Sequence, residues 1–77
     1  MRAWWESEDE IAHPGHPERG PKLLIQKGVY HYENGSTEAG LRFAWTFDGR
    51  IEPGPPTRID SLDDIAVLTE LARRKGW

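Results

Sequence analysis

Residues 41–47 read Leu-Arg-Phe-Ala-Trp-Thr-Phe, and this alternation of large apolar side chains with polar or small ones decides the fold. A period of two places every second side chain on the same face of a β-strand. One face of this segment therefore carries Leu41, Phe43, Trp45 and Phe47, which is too much apolar surface to leave in water. The stretch predicts a β-strand with one face packed on the core.

Asn34-Gly35 and Asp48-Gly49 bound this strand on its two sides, and both dipeptides are strong signals of a β-hairpin turn. The segment before the first turn is rich in β-forming residues. The segment after the second turn can return as a further strand until Pro53, which has no backbone N–H to donate. Residues 22–52 are therefore predicted to form antiparallel strands.

The lengths of the two turns determine which residues lie opposite each other, because a slip of one residue turns a strand over. With two-residue loops, Gln26 would lie opposite Phe43 and Glu52 opposite Trp45. With three-residue loops, both ending on glycine, Ile25 lies opposite Phe43, and Leu23 and Ile51 lie opposite Trp45. We predict the three-residue loops, because they collect the apolar residues on one face.

Residues 61–75 predict a C-terminal helix. Ser61 is a favourable N-cap, the acidic residues that follow suit the positive end of the helix dipole, and Gly76 is a favourable stop. At 100° per residue, one apolar stripe faces the sheet. This stripe consists of Leu62, Ile65, Leu68, Thr69 and Ala72.

The N-terminal part of the chain is polar and rich in proline and glycine. Residues 6–21 hold four acidic side chains within positions 6 to 10, three prolines and two glycines, and predict a loop whose composition allows mobility. Trp4 and Trp5 precede this loop. Because large rings near a terminus favour docking on the core, we expect them to add a short strand.

The fold class predicted from these elements is α+β: an antiparallel meander of three to four strands packed on one C-terminal helix. Residues 57–59 are a second candidate for the fourth strand. A chain of 77 residues without cysteine has room for one core, so residues 1–77 are predicted to form a single small domain.

The composition argues against several classes of protein. No segment approaches the ~20 apolar residues of a membrane span, and the N-terminus lacks the apolar region of a secretory signal. We therefore expect a cytoplasmic protein without a membrane partner. The formal net charge is −3, which does not favour binding to nucleic acid.

No set of residues indicates catalysis, because the three serines lie in loop, turn and cap contexts without a neighbouring base. His13 and His16 form the one pair with metal-ligand spacing. Two histidines three residues apart converge on a helix, and Pro14, Gly15 and Pro17 oppose a helix there. The sequence thus predicts no enzyme activity, no cofactor and no metal site.

Two surfaces carry aromatic, arginine or apolar side chains that the core does not need. The first is the sheet face opposite the helix, predicted to hold Gln26, Tyr30, Tyr32, Arg42, Thr46 and Arg50. The second is the pair Val67 and Leu71, which lies off the apolar stripe. Either the Trp4-Trp5 segment or a second copy of the chain would cover this pair; we favour a homodimer, because the acidic residues after Trp5 would be repelled by those of the helix.

These surfaces lead to two functional hypotheses. The first is a small protein-interaction module, an adaptor or inhibitor, since Tyr, Trp and Arg dominate protein interfaces. The alternative is a single-stranded nucleic-acid-binding module that stacks bases on the helix-free sheet face. The candidate partner-binding residues are Tyr30, Tyr32, Arg42, Arg50, Val67, Leu71, Trp4 and Trp5.

Overall fold

The chain forms four antiparallel strands followed by one helix, in a computed structural model that describes residues 3–51 and 58–77. The strands are adjacent in chain order, and the sheet is curled. The predicted α+β meander packed on a C-terminal helix is confirmed. The elements are β1 (Ala3–Ala12), β2 (Lys22–Tyr32), β3 (Thr37–Phe47), β4 (Arg50–Ile51) and α1 (Leu62–Arg74). Within the described ranges, no helix has the length and hydropathy that crossing a bilayer requires.

The first hairpin has the predicted register, with Ile25 opposite Phe43 and Leu23 opposite Trp45. Its loop is closed by the Tyr32 backbone N–H, which donates to the carbonyl oxygen of Ser36 at 2.9 Å. Gly35 has a φ of 87°, a left-handed conformation that costs glycine little. The three-residue loop over 33–35 is therefore confirmed.

The second hairpin differs from the prediction by one residue. Phe47 lies opposite Arg50 and Thr46 opposite Ile51, so the loop is the two residues Asp48 and Gly49. Both have positive φ, 52° and 81°, as a type I′ turn requires, and aspartate tolerates this conformation better than most residues. The predicted pairing of Ile51 with Trp45 is therefore wrong. Glu52, to which the alternative pairing refers, lies outside the described residues.

β1 occupies most of the segment predicted to be a loop. The strand runs from Ala3 to Ala12 and pairs with β2 at the edge of the sheet. Its polar and acidic composition suits an edge strand, where only one side of the chain is paired and most side chains meet water. The predicted loop over 6–21 is thus wrong for residues 6–12. Trp4 and Trp5 belong to a strand as expected, but neither ring is part of the hydrophobic core, and Trp4 is 59% exposed.

A β-bulge interrupts β1 at Glu8. Ser7 pairs with Gly28 and Asp9 pairs with Lys27, which is the next residue of β2, so Glu8 has no partner residue on β2. A Cβ atom at Gly28 would lie 2.1 Å from the carbonyl oxygen of Glu6, a distance that no side chain tolerates. Glycine at this position is therefore what allows the bulged strand to approach β2.

The hydrophobic core lies between α1 and one end of the sheet. It consists of Leu23, Ile25, Leu68 and Ala72, with partly buried residues around it. The helix begins as predicted, since the Ser61 hydroxyl accepts the Asp63 N–H at 3.1 Å. Leu62 is an exception to the predicted stripe, because it is 82% exposed. The buried side of the helix instead starts at Asp64 and continues through Leu68 and Ala72, four residues apart each time.

The other end of the helix is tied to β1 on the surface. Lys75 Nζ lies 2.8 Å from Asp9 Oδ2. The hydrogen bond from Lys75, followed by one from the Glu10 backbone N–H, lowers the pKa of Asp9 below its ordinary value of 3.8. α1 is thus attached to the N-terminal strand near its last turn.

Candidate functional site

The helix-free face of the sheet carries most of the residues predicted for it. In the observed register Gln26 lies opposite Arg42 and Tyr30 opposite Glu38, with Thr46 further along the same side of β3. Tyr32 follows by alternation along β2. Arg50 does not belong to this group, because the two-residue turn places it opposite Phe47 on the helix side of the sheet.

A buried glutamine organises this face. Gln26 is only 3% exposed, and its Oε1 atom accepts two hydrogen bonds, from Trp5 Nε1 at 3.1 Å and from Arg42 Nε at 2.8 Å. The Arg42 guanidinium carbon lies 5.1 Å from the centre of the Trp5 ring, within the range of a cation–π contact. Tyr30 meets the same ring edge-on at 4.8 Å. We call these four residues the Gln26 cluster.

Trp5 reaches Gln26 because of the bulge and the glycine in β2. It pairs with Tyr30, four residues away from Gln26 along β2. Its indole ring extends over Gly28, where a Cβ atom would lie 2.7 Å from Trp5 Cζ2. Sequence reasoning placed Trp5 near the core but not on this face, because the bulge that fixes its side has no sequence signature in a polar strand.

Trp4 points to the opposite face and takes part in a different group of contacts. Its ring stacks on His31 with 4.0 Å between ring centres, and His31 Nε2 lies 2.8 Å from Glu6 Oε1. Trp4 is nevertheless 59% exposed. The two tryptophans were predicted to act as one segment, but their side chains lie on opposite faces of the sheet.

Val67 and Leu71 are half-buried within the single chain. The prediction that a second copy covers them started from the expectation that water would otherwise reach both. Because the single chain already buries part of both side chains, a second copy is not needed to keep them from full exposure to water. The ring contacts described for Trp4 and Trp5 are with β2 and β3 residues rather than with this pair.

A second cluster lies where the helix begins, and we call it the Asp64 cluster. His13 Nε2 and His16 Nε2 lie 3.2 Å and 3.3 Å from the same Asp64 oxygen. The two imidazole rings stack at 4.0 Å, and His16 stacks in turn on Trp45 at 5.6 Å. The side chains of His13, His16 and Asp64 are 11%, 17% and 16% exposed. The expectation that proline geometry holds the two histidines apart is wrong, because the turn after His13 lets the His16 N–H donate to the His13 carbonyl.

This cluster has the composition of a metal site, since two imidazoles and a carboxylate converge within 4.8 Å. The hydrogen bonds at the other ring nitrogens argue against that function. His13 Nδ1 accepts the Gly15 N–H and His16 Nδ1 accepts the Leu23 N–H, each at 3.0 Å. A nitrogen that accepts carries no proton, so in the neutral ring the proton is on Nε2, where it is donated to Asp64. Metal-bound histidines usually need the reverse, a free lone pair on Nε2 and a donor on Nδ1.

The Asp64 cluster is therefore best described as a hydrogen-bonded tie between the loop after β1 and the first turn of α1. Sequence reasoning missed it because the acidic residues after Ser61, Asp64 among them, were attributed to the positive end of the helix dipole. A signal was present: Asp64 precedes Leu68 by four residues and Ala72 by eight, so it lies on the buried side of the helix.

The chain matches no protein-family model, no curated protein and no solved structure.

Proposed function

We propose that this chain is a protein-interaction module, acting as an adaptor or inhibitor, and that its binding surface is the Gln26 cluster. The observation that carries the proposal is the double hydrogen bond to Gln26 Oε1, which holds a tryptophan and an arginine from two different strands in one place. The complementary partner surface presents a carboxylate to Arg42, next to an apolar side chain that packs on the rings.

The physical basis is preorganisation. Trp, Tyr and Arg are enriched among the residues that dominate binding energy at protein interfaces. Ordering a flexible side chain on binding costs about 0.5–1.5 kcal/mol. Gln26 already fixes Trp5 and Arg42 in the free chain, so part of this cost is removed before a partner arrives.

Single-stranded nucleic acid is the competing partner, because the same rings could stack bases. Charge argues against it. Glu10 lies opposite Gln26 and Glu38 opposite Tyr30, so carboxylates flank the cluster on the same face. With a net charge of −3, the chain lacks the excess of cations that neutralises phosphates. We extend the proposal to a cytoplasmic partner, since a cysteine-free chain fits a reducing compartment.

Affinity capture with matched variants tests the proposal. The wild type, Arg42→Lys and Leu62→Ala serve as baits in a lysate of the source organism treated with nuclease, and the captured proteins are quantified by mass spectrometry. Lysine keeps the charge but loses the planar contact with Trp5 and the geometry of the bond to Gln26. Leu62→Ala is the control, because this side chain is 82% exposed and remote from the cluster.

We expect at least one protein to be captured by the wild type and by Leu62→Ala, and to be reduced about tenfold with Arg42→Lys. Its affinity should change little with added salt, whereas binding of nucleic acid should weaken steeply. Capture that all three baits share, or that disappears after nuclease treatment, would contradict the proposal.

A further inference from the structure

Within the described residues, the outer edge of β3 is paired along only part of its length, because β3 is longer than β4. β4 pairs with Thr46 and Phe47, at the end of β3. Among residues 3–51 and 58–77, no strand pairs with residues 37–42 on the side away from β2. Thr37, Glu38, Ala39 and Leu41 are exposed, and Leu41 is 53% exposed although it is a large apolar residue.

The backbone groups along this edge alternate in direction. The Tyr32 N–H donates to the Ser36 carbonyl, which makes this pair a hydrogen-bonded one. In an antiparallel ladder, hydrogen-bonded and non-hydrogen-bonded pairs alternate. Glu38, Gly40 and Arg42 therefore bond to β2. Thr37, Ala39 and Leu41 direct their N–H and C=O groups outward, so three residues of this edge present the donors and acceptors that a further strand would use.

We propose that a second copy of this chain pairs with this edge, antiparallel, about a two-fold axis at Gly40. In this register Ala39 forms a hydrogen-bonded pair with the partner's Leu41, twice by symmetry. Glu38 lies opposite the partner's Arg42 in a non-hydrogen-bonded pair, where facing side chains approach most closely. The two sheets join into one, and the two Gln26 clusters lie on the same face of it.

Charge complementarity favours this register, and it favours a second copy of the chain as the partner. The outward-directed residues must pair with each other, so neighbouring symmetric registers differ by two residues. One of them places Glu38 opposite Gly40 and the other opposite Ala44, and neither pairs opposite charges. Gln26 uses only the Nε donor of Arg42, and a guanidinium has five N–H donors in all.

The other open edge of the sheet does not offer the same pairing. β1 carries Glu6, Glu8 and Glu10 and is bent by its bulge. Edge strands with charges and bulges resist pairing with another strand, and two copies of β1 would bring carboxylates together. β3 is paired with β2 without a bulge, and the two charged residues on its open edge, Glu38 and Arg42, are of opposite sign.

Sedimentation equilibrium from about 10 µM to about 1 mM tests the pairing, because an interface of two short strands is expected to be weak. The wild type should shift from the 8.8 kDa monomer toward a dimer across this range. Ala39→Pro removes an outward N–H and no bond to β2, so it should remain monomeric with a normal circular-dichroism melting curve. Glu38→Arg faces the partner's Arg42 and should weaken the dimer at least tenfold. Glu8→Arg makes the same change of charge on β1 and should leave dimerisation unchanged.

Amide hydrogen exchange of the wild type provides a readout that needs no variant. The Ala39 and Leu41 amides should exchange more slowly at high than at low concentration, while those of β1 should not change. A monomer at about 1 mM, a dimer that persists in a folded Ala39→Pro variant, or equal effects of Glu38→Arg and Glu8→Arg would each overturn the proposal.

Discussion

The Gln26 cluster and the Asp64 cluster use the same device for different tasks. In each, one side-chain oxygen accepts two N–H groups: the Gln26 amide accepts from Trp5 and Arg42, and the Asp64 carboxylate accepts from the two histidines. The first joins three adjacent strands that the backbone ladder already connects. The second joins a loop to the helix, which no ladder connects.

This difference indicates which cluster the fold depends on. Strands β1, β2 and β3 remain paired through their backbones when a side chain among them is lost. The helix is attached to the rest of the fold by the core, by the Asp64 cluster and by the surface bond from Lys75 to Asp9. We therefore expect changes in the Asp64 cluster to lower stability more than changes in the Gln26 cluster, which should act mainly on binding.

Trp45→Ala should give the largest effect. The ring packs against the core and stacks on His16, and its Nε1 atom donates to the Arg58 carbonyl. Removing a large aromatic ring from such a position costs about 3–5 kcal/mol, a large share of the stability of a small domain. Chemical denaturation would measure it, with Trp45→Phe as the control that keeps most of the apolar contact. A cooperative melting transition near the wild-type temperature in Trp45→Ala would show that this end of the sheet is not central to the fold.

Asp64→Ala tests the tie between loop and helix directly. It leaves two poorly exposed Nε2–H groups without their acceptor, and each such group costs about 1–3 kcal/mol when it is fully buried. Because water still reaches both rings in part, we expect the combined loss in the free energy of unfolding to be in the lower part of that range, about 2–4 kcal/mol. Asp64→Asn keeps an acceptor oxygen and should lose less than half of that. Asp63→Ala removes a carboxylate one residue away and is the matched control for charge. If the Asp63 and Asp64 variants lost the same amount, helix capping alone would explain the role of Asp64.

Gln26→Leu is the corresponding change in the other cluster. Leucine has a similar size but no acceptor, so the N–H groups of Trp5 and Arg42 lose their common partner. Because both side chains are only half-buried, water can replace part of the bond, and we expect a loss of about 1 kcal/mol. The nuclear magnetic resonance signal of the Trp5 indole N–H should shift and broaden. An unchanged indole signal would mean that Gln26 does not hold this ring in solution.

The smallest effect is expected from zinc, which should not raise the melting temperature. Binding through Nε2 would require both imidazoles to move their proton to Nδ1, against the Gly15 and Leu23 N–H groups. Thermal unfolding with zinc and with a chelator would measure the difference, since a ligand of the folded state raises its apparent stability. A saturable increase that is lost in His16→Ala would make the Asp64 cluster a metal site.

The parts of the fold that follow strict patterns were predictable. The alternation along β3 and the glycine at position 35 determine the β2–β3 register, and Ser61 marks the start of the helix. These are local signals, in which a few adjacent residues decide the conformation.

The parts that depend on distant partners were not predictable. The composition of β1 resembles a loop because an edge strand needs few apolar residues, and its bulge breaks the period of two at Glu8. At the second turn, the sequence is compatible with a loop of two or of three residues. The prediction preferred the three-residue loop because it puts more apolar side chains on one face, but the structure has the two-residue loop. Gln26 is an uncharged polar residue in a strand, and nothing in the sequence indicates that two other strands donate to it.

The bulge at Glu8 also bears on how the length of this chain can change during evolution. The extra residue is already outside the ladder, so deleting Glu8 alone would leave Ser7 opposite Gly28 and Asp9 opposite Lys27, and both tryptophans would keep their faces. A deletion within β2 would instead turn half of that strand over and exchange core and surface. We therefore expect insertions and deletions among homologues to accumulate at this point of β1, within a strand rather than in a loop.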